Sequence, residues 1–186
     1  MRINFYALRA IYFHEMDRFR RTLIQSLLSP VLSTSLYFIV FGSVIGDYVQ
    51  KIDGISYGSY IVPGLLMLTL LTQSISNTSF GIFFPKFNGT IYEILAAPIS
   101  TVEIVIAYVG AGATKTLIVA AVIFCTSLFF AEVNVKFPLL MIFLLILVAF
   151  TFALFGFLIG LLSKNFEQMS IIPVSYTHLR AHETTS

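Results

Sequence analysis

The sequence predicts an all-α bundle that crosses a membrane four times, and three observations predict it. Of the 186 residues, 58% are hydrophobic and 11% are charged, where a soluble domain carries about 25% charged residues. Four apolar runs reach the roughly 20 residues needed to cross a hydrocarbon core about 30 Å thick. The polar residues collect in short islands between them. So much of the chain is committed to lipid that no separate soluble domain is expected. Cys125, the single cysteine, lies inside an apolar run without a partner, which excludes a disulfide framework. A net charge of +2 gives no ground for expecting a nucleic-acid partner.

Residues 3–20 place Phe5, Leu8, Tyr12, Met16 and Phe19 at steps of three and four, with charges gathered toward the end. The pattern predicts a helix lying in the membrane interface, its aromatic side in the headgroups and its arginines toward anionic lipid. A water-exposed helix is the competing reading. A secretory signal is excluded, because Glu15, Asp17 and the arginines interrupt what would have to be an apolar core. His14 and Glu15 are not a zinc motif, since Arg18 stands where the second histidine of His-Glu-x-x-His belongs.

The first span covers residues 22–42. It contains Pro30 with Ser26, Ser29, Ser33 and Thr34 around it, and proline in a spanning helix frees a carbonyl one turn earlier, so a kink is expected there. A loop rich in glycine and aspartate leads to the second span, 60–83. Its inner half holds Thr69, Thr72, Gln73, Ser74, Ser76, Asn77, Thr78 and Ser79. Lipid tolerates such a face poorly, so it should point at protein or at a water-filled path. Thr72, Gln73, Ser76 and Asn77 are therefore candidates for interhelical packing or for lining a pathway.

Residues 84–103 form a polar island with two helix starts. Thr90 with Glu93, and Ser100 with Glu103, each match the Ser/Thr-x-x-Glu capping box. The first helix, 90–97, must be short, because Pro98 lacks an amide hydrogen and pushes Ala97 out of the helical region. The second opens the third span, 101–130, with Ile99 and Ile104 placed as a hydrophobic staple. Thirty residues make roughly 45 Å of helix, more than the bilayer core. Lys115 then sits about one turn inside the inner edge, where its stem can snorkel to the headgroups. It is expected to be an interface anchor, with a pathway site as the alternative. The run GAGATKT is not a phosphate-binding loop, because Thr114 replaces the glycine before the lysine and no strand precedes it.

The fourth span covers 137–162. Ala149, Ala153, Gly156 and Gly160 form a small-residue stripe that lets another helix approach closely. Whether that helix belongs to this subunit or to another is left open. Beside the spans, Arg2, Arg9, Arg18, Arg20, Arg21, Lys86 and Lys164 fall on one side, and Lys51 and Lys136 on the other. The excess of basic residues places the amino terminus and the island in the cytoplasm. Residues 165–173 read as the start of a fifth span. From Val174 the chain turns polar, and VSYTHLRAHET resembles the translation of a sequencing-library adapter. Residues 174–186 are thus expected to be a non-native tail on a natural chain that continued past about Pro173.

Taken in order, these features resemble the permease subunit of ABC-2-type exporters, the branch of drug, polysaccharide and nodulation-factor export. The matching features are the basic amphipathic first helix, Val62-Pro63-Gly64, and the Gly89, Thr90, Glu93, Leu95, Pro98 and Glu103 pattern. Lys164, Phe166, Glu167 and Gln168 extend the likeness, which covers residues 1–173. The resemblance implies a multi-pass protein of the bacterial inner membrane, paired with a second permease subunit as homodimer or heterodimer. It implies that the short helix couples to a separate ATPase subunit, which would hold ATP and magnesium. Gly89, Thr90, Ile91, Tyr92, Glu93, Leu95, Pro98 and Glu103 would form that coupling region. No catalytic, cofactor or metal-binding residue is expected in this chain. Such permeases usually have six spans, and the fifth and sixth are absent here. Two other readings stand beside this one. An ion-coupled carrier using Lys115 should show acids in the membrane parts of the spans, and none is seen there. A non-transporting scaffold would oligomerise through the 149–160 stripe.

Overall fold

The computed structural model describes residues 4–45, 57–131 and 135–168, the side chains of 42–45 excepted. Its helices are α1 (Phe5–Arg21), α2 (Leu23–Tyr37), α3 (Tyr57–Asn88), α4 (Ile91–Ala96), α5 (Thr101–Phe130) and α6 (Pro138–Leu162). No strand occurs among the described residues. Four segments are long and apolar enough to cross a membrane: Leu23–Phe41, Tyr57–Asn88, Thr101–Phe130 and Pro138–Leu162. The protein is therefore an all-α, multi-pass helix bundle. Lys51, Arg2, the fifth-span residues beyond 168 and the 174–186 tail lie outside the described residues.

The helix α5 is the axis of the bundle, in contact with α1, α2, α3 and α6. It can be, because the positions it turns inward are small: Ala107, Ala111 and Ala113 are wholly buried, and Gly112 lies among them. A Cβ on Gly112 would collide with the Thr78 hydroxyl and lie 3.0 Å from Thr78 Cβ, so α3 and α5 meet with almost no side chain between them.

The most extensive contact is between α3 and α6. Ala149, Ala153, Gly156 and Gly160 are all buried in it. A Cβ on Gly156 would sit 2.5 Å from Ile75 O and 2.9 Å from Ile75 Cα, and one on Gly160 would sit 2.6 Å from Ser79 O. Ser74 closes the seam by donating its hydroxyl to Ala149 O at 2.6 Å. The open question about this stripe thus has an answer within the chain: its partner is α3 of the same subunit.

Helix α2 runs through Pro30 without interruption and continues as a π-helical segment, Phe38–Ile45, whose i→i+5 bonding no sequence pattern announced. Phe38 stacks on Phe130 with ring centroids 5.7 Å apart, which puts the ends of α2 and α5 together. The helix α3 is longer than the predicted 60–83. It takes in Pro85 and Lys86 and stops at Gly89, whose φ of +81° is the left-handed conformation that ends helices.

The placement of α1 corrects the sequence reading. Asn4, Tyr12 and Glu15 bond to Glu103, Thr114 and Lys115 in turn. Eleven residues of α1 thus advance with twelve of α5, and α1 lies lengthwise and parallel along α5. Leu8, Tyr12 and Met16 are half-buried and Phe19 is buried. Apart from Phe5, which is exposed, the apolar stripe taken for a headgroup-facing side packs on protein instead, because the inner part of α5 offers it an apolar surface. The opposite side, with Tyr6, Arg9 and Phe13, is exposed, and the Arg9 guanidinium lies 5.2 Å over the Phe13 ring.

If the close α3–α6 approach holds the bundle, Gly156→Val should destabilise it by about 1–3 kcal/mol through overpacking. Denaturant titration of the purified protein in mild detergent would measure this, against Leu139→Val on the exposed face of α6 as a near-neutral control.

Candidate functional site

One end of the bundle gathers the features that stand out chemically. The carboxyl ends of α3 and α6, the amino ends of α1 and α5, and α4 all lie there. Gly89 breaks α3, and two residues later α4 begins. Ala97, at φ −74° and ψ 152°, is extended, as a residue before proline is constrained to be. The six-residue α4 is thus bracketed by a backbone reversal on one side and Pro98 on the other.

The two capping boxes differ. At Ser100 the box is complete: Ser100 Oγ accepts from Glu103 N at 3.3 Å, and Ser100 N donates to Glu103 Oε2 at 2.9 Å. At Thr90 there is none. Thr90 has right-handed helical angles, φ −65° and ψ −14°, and makes no side-chain cap bond. A capping residue needs an extended backbone to turn its oxygen onto the first-turn amides, and the reversal at Gly89 leaves Thr90 already wound into the turn. Its hydroxyl instead donates to Pro85 O at 3.4 Å.

Glu103 does more than cap. Its second oxygen, Oε1, accepts from Asn4 N at 2.6 Å, so one buried carboxylate joins the start of α5 to the start of α1. On the other flank, Lys86 Nζ donates to Leu161 O at 2.5 Å and Ser163 O at 2.9 Å. Lys86 thereby satisfies carbonyls left free at the end of α6, where a cation is favoured. Phe166 packs edge-on against Phe83 and Phe87, with centroids 4.9 and 5.0 Å away. The strands of chain entering and leaving α4 are therefore tied to α6 and to α1 respectively.

Within α4 the side chains divide. Ile91 and Ile94 pack on the hydrophobic core, while Tyr92 is 74% exposed and Leu95 62% exposed. Glu93 is exposed as well, and Gly89 and Pro98 flank this outward face without covering it. Of the residues expected in the coupling region, Ile91 and Glu103 face inward as anchors, and Tyr92, Glu93 and Leu95 face out.

Lys115 does not behave as an interface anchor. It is 3% exposed, and its Nζ lies 2.7 Å from Glu15 Oε2. The same oxygen accepts from Arg18 Nη2 at 2.8 Å. Snorkelling fails because α1 covers Lys115 and supplies the carboxylate that engages it. Sequence reasoning passed over Glu15, using it only to exclude a secretory signal and a zinc motif. The missed signal was its register: Glu15 falls on the same side as Tyr12 and Phe19, the side that meets α5.

Of the polar residues of α3, Ser74 and Asn77 bond across to neighbouring helices. Thr72 donates to Leu68 O and Thr69 O within its own helix. Asn77 Nδ2 reaches Thr116 Oγ1 at 3.5 Å, and the Ser76 carbonyl accepts from Ser79 Oγ at 3.1 Å. Gln73 is half-buried. Thr78 Oγ1, buried at the Gly112 contact, has no hydrogen-bond partner among the described residues. Nor do the described residues hold a group of three or more potential metal ligands.

A bundle of this kind, with four helices able to cross a membrane and a short exposed helix at one end, is that of an integral membrane protein. The chain belongs to the ABC-2 type transporter family, whose profile matches residues 6–178. It is 37% identical over 173 residues to the inner membrane transport permease YadH of Escherichia coli (strain K12). The Shigella flexneri protein of the same name gives the same identity. Each match covers 93% of this chain and 68% of the relative. No solved structure matches the chain significantly.

The unequal caps make a sharp comparison. Ser100→Ala should lower stability by about 1 kcal/mol, the usual value of a lost cap. Thr90→Ala, which removes no cap bond, should leave the melting temperature in detergent close to wild type.

Proposed function

We propose that the chain is the membrane-spanning subunit of an ATP-binding cassette exporter. In this reading a separate ATPase subunit, holding ATP and magnesium, drives substrate out of the bacterial cytoplasm. The observation that carries the proposal is α4: a helix fixed to the bundle by Ile91 and Ile94 that presents Tyr92, Glu93 and Leu95 to whatever lies beyond the membrane. Six residues held between Gly89 and Pro98 can be pushed as a unit, and the side-chain ties through Lys86 and Glu103 would pass the push to α6 and α1. The basic residues beside the spans support a cytoplasmic position for this end, and the names of the relatives support an inner-membrane location. A second permease copy or paralogue would complete the transporter. The outer side of α1 suits contact with membrane lipid.

The carrier reading loses its main support, since the ammonium of Lys115 is buried and paired with Glu15 rather than open to a path. The small-residue stripe, being occupied by α3, leaves the scaffold reading without its oligomerisation surface.

The full-length gene product, co-expressed with its candidate ATPase subunit, provides the test. Replacing residues 91–97 with Gly/Ser should abolish co-purification of the ATPase. Tyr92→Ala with Leu95→Ala should weaken it at least tenfold, equivalent to about 1.4 kcal/mol or more. Undiminished recovery of the ATPase with both variants would refute the proposal.

A further inference from the structure

The charge cluster between α1 and α5 has no part in the contact surface of α4, yet its construction is specific. Glu15 and Lys115 are both buried, and Gly81 of α3 faces them, where a Cβ would lie 3.4 Å from Glu15 Oε2 and 3.5 Å from the Tyr108 ring. As a device for holding two helices together the pair is a poor choice. Removing two charges from water costs about as much as their attraction returns, and apolar side chains of the same size would pack at least as well. What an ion pair adds is register, because it is satisfied in one alignment only.

Its asymmetry matters more. Glu15 has a second partner on its own helix, Arg18, whereas the one ion pair of Lys115 among the described residues is with Glu15. If α1 slid along α5 while still covering it, Glu15 would keep Arg18 as a counter-charge and Lys115 would be left as an uncompensated ammonium inside the bundle. That state is the expensive one. Helix α1 is therefore held to follow wherever α5 goes. The bonds from Asn4 to Glu103 and from Tyr12 to Thr114 keep the same alignment, and Thr22 alone separates α1 from α2.

We infer that Glu15 and Lys115 are positioning residues that lock α1 to α5 as one lever. Through them, movement imposed on α4 at the foot of α5 is carried along α1 into the first span instead of being lost between the two helices. The inference rests on the reading of α4 as the ATPase contact, but the lock itself can be measured without it.

The experiment uses the full-length permease in nanodiscs, with and without its ATPase subunit. Cys125→Ser removes the exposed native thiol, and spin labels are attached through Asp17→Cys on α1 and Ala121→Cys on α5, exposed positions near the Glu15–Lys115 contact and away from the Asn4–Glu103 bond. The expected distance distribution is narrow and does not move when ATP is added. Glu15→Gln should lose the narrow distribution. Lys115→Arg should keep it and Lys115→Met should not, a difference that simple space-filling would not produce. A wild-type distance that shifts or splits with ATP overturns the inference, as does a Glu15→Gln or Lys115→Met distribution as narrow as wild type. Should Glu15→Gln fail to accumulate, the wild-type comparison with and without ATP and the Lys115 pair still decide. Should the ATPase not bind, the α4 reading fails, while the ATPase-free measurements still report on the lock.

Discussion

Where α3 meets α6, the backbone at Ile75 and Ser79 lies so close to Gly156 and Gly160 that neither glycine has room for a side chain. The rest of the bundle depends on this contact and its counterpart at Gly112. Lipid tails are as apolar as leucine, so no hydrophobic force draws spanning helices together, and association falls to close packing and hydrogen bonds. Small residues on α5 and α6 admit the backbone of α3, and Ser74, Asn77 and Thr78 of α3 then come within reach of their neighbours. Part of the polarity of α3, costly toward lipid, is met across the helix contacts, by Ser74 on α6 and Asn77 on α5.

The inner end of the bundle follows from the same economy of contacts. Helices need their terminal backbone groups satisfied, and here the groups that satisfy them also join elements. Glu103 caps α5 and receives the amide of Asn4. Lys86 serves the carbonyls at the end of α6 from a position on α3. Helix α4 hangs between these joints, anchored by two isoleucines and otherwise exposed. A part so placed is fixed to the bundle and open to a partner.

The buried Glu15–Lys115 contact adds a constraint of another kind. Packing at glycine is local and tolerates sliding by a fraction of a turn, whereas an ion pair closed off from solvent does not. Together they divide the bundle into a closely mated α3–α6 pair and a charge-registered α1–α5 pair, with α5 in common contact.

How much of this was legible beforehand follows from the range of the forces involved. Residues near in sequence determined the spans, through their apolar length, and the break at Pro98, through its missing amide. They likewise determined the cap at Ser100 and the approach surface from Ala149 to Gly160. Each depends on a few neighbouring side chains and the dimensions of a bilayer. Thr90 matched a capping pattern and did not cap, because the reversal at Gly89 set its backbone first. Lys115 read as a residue reaching for the headgroups, and Glu15 only as a charge that rules out a secretory signal, because the two are a hundred positions apart and neither carries a sign of the other. Tertiary structure alone decided that they meet, since only the alignment of α1 along α5 brings a carboxylate nearer to that ammonium than water.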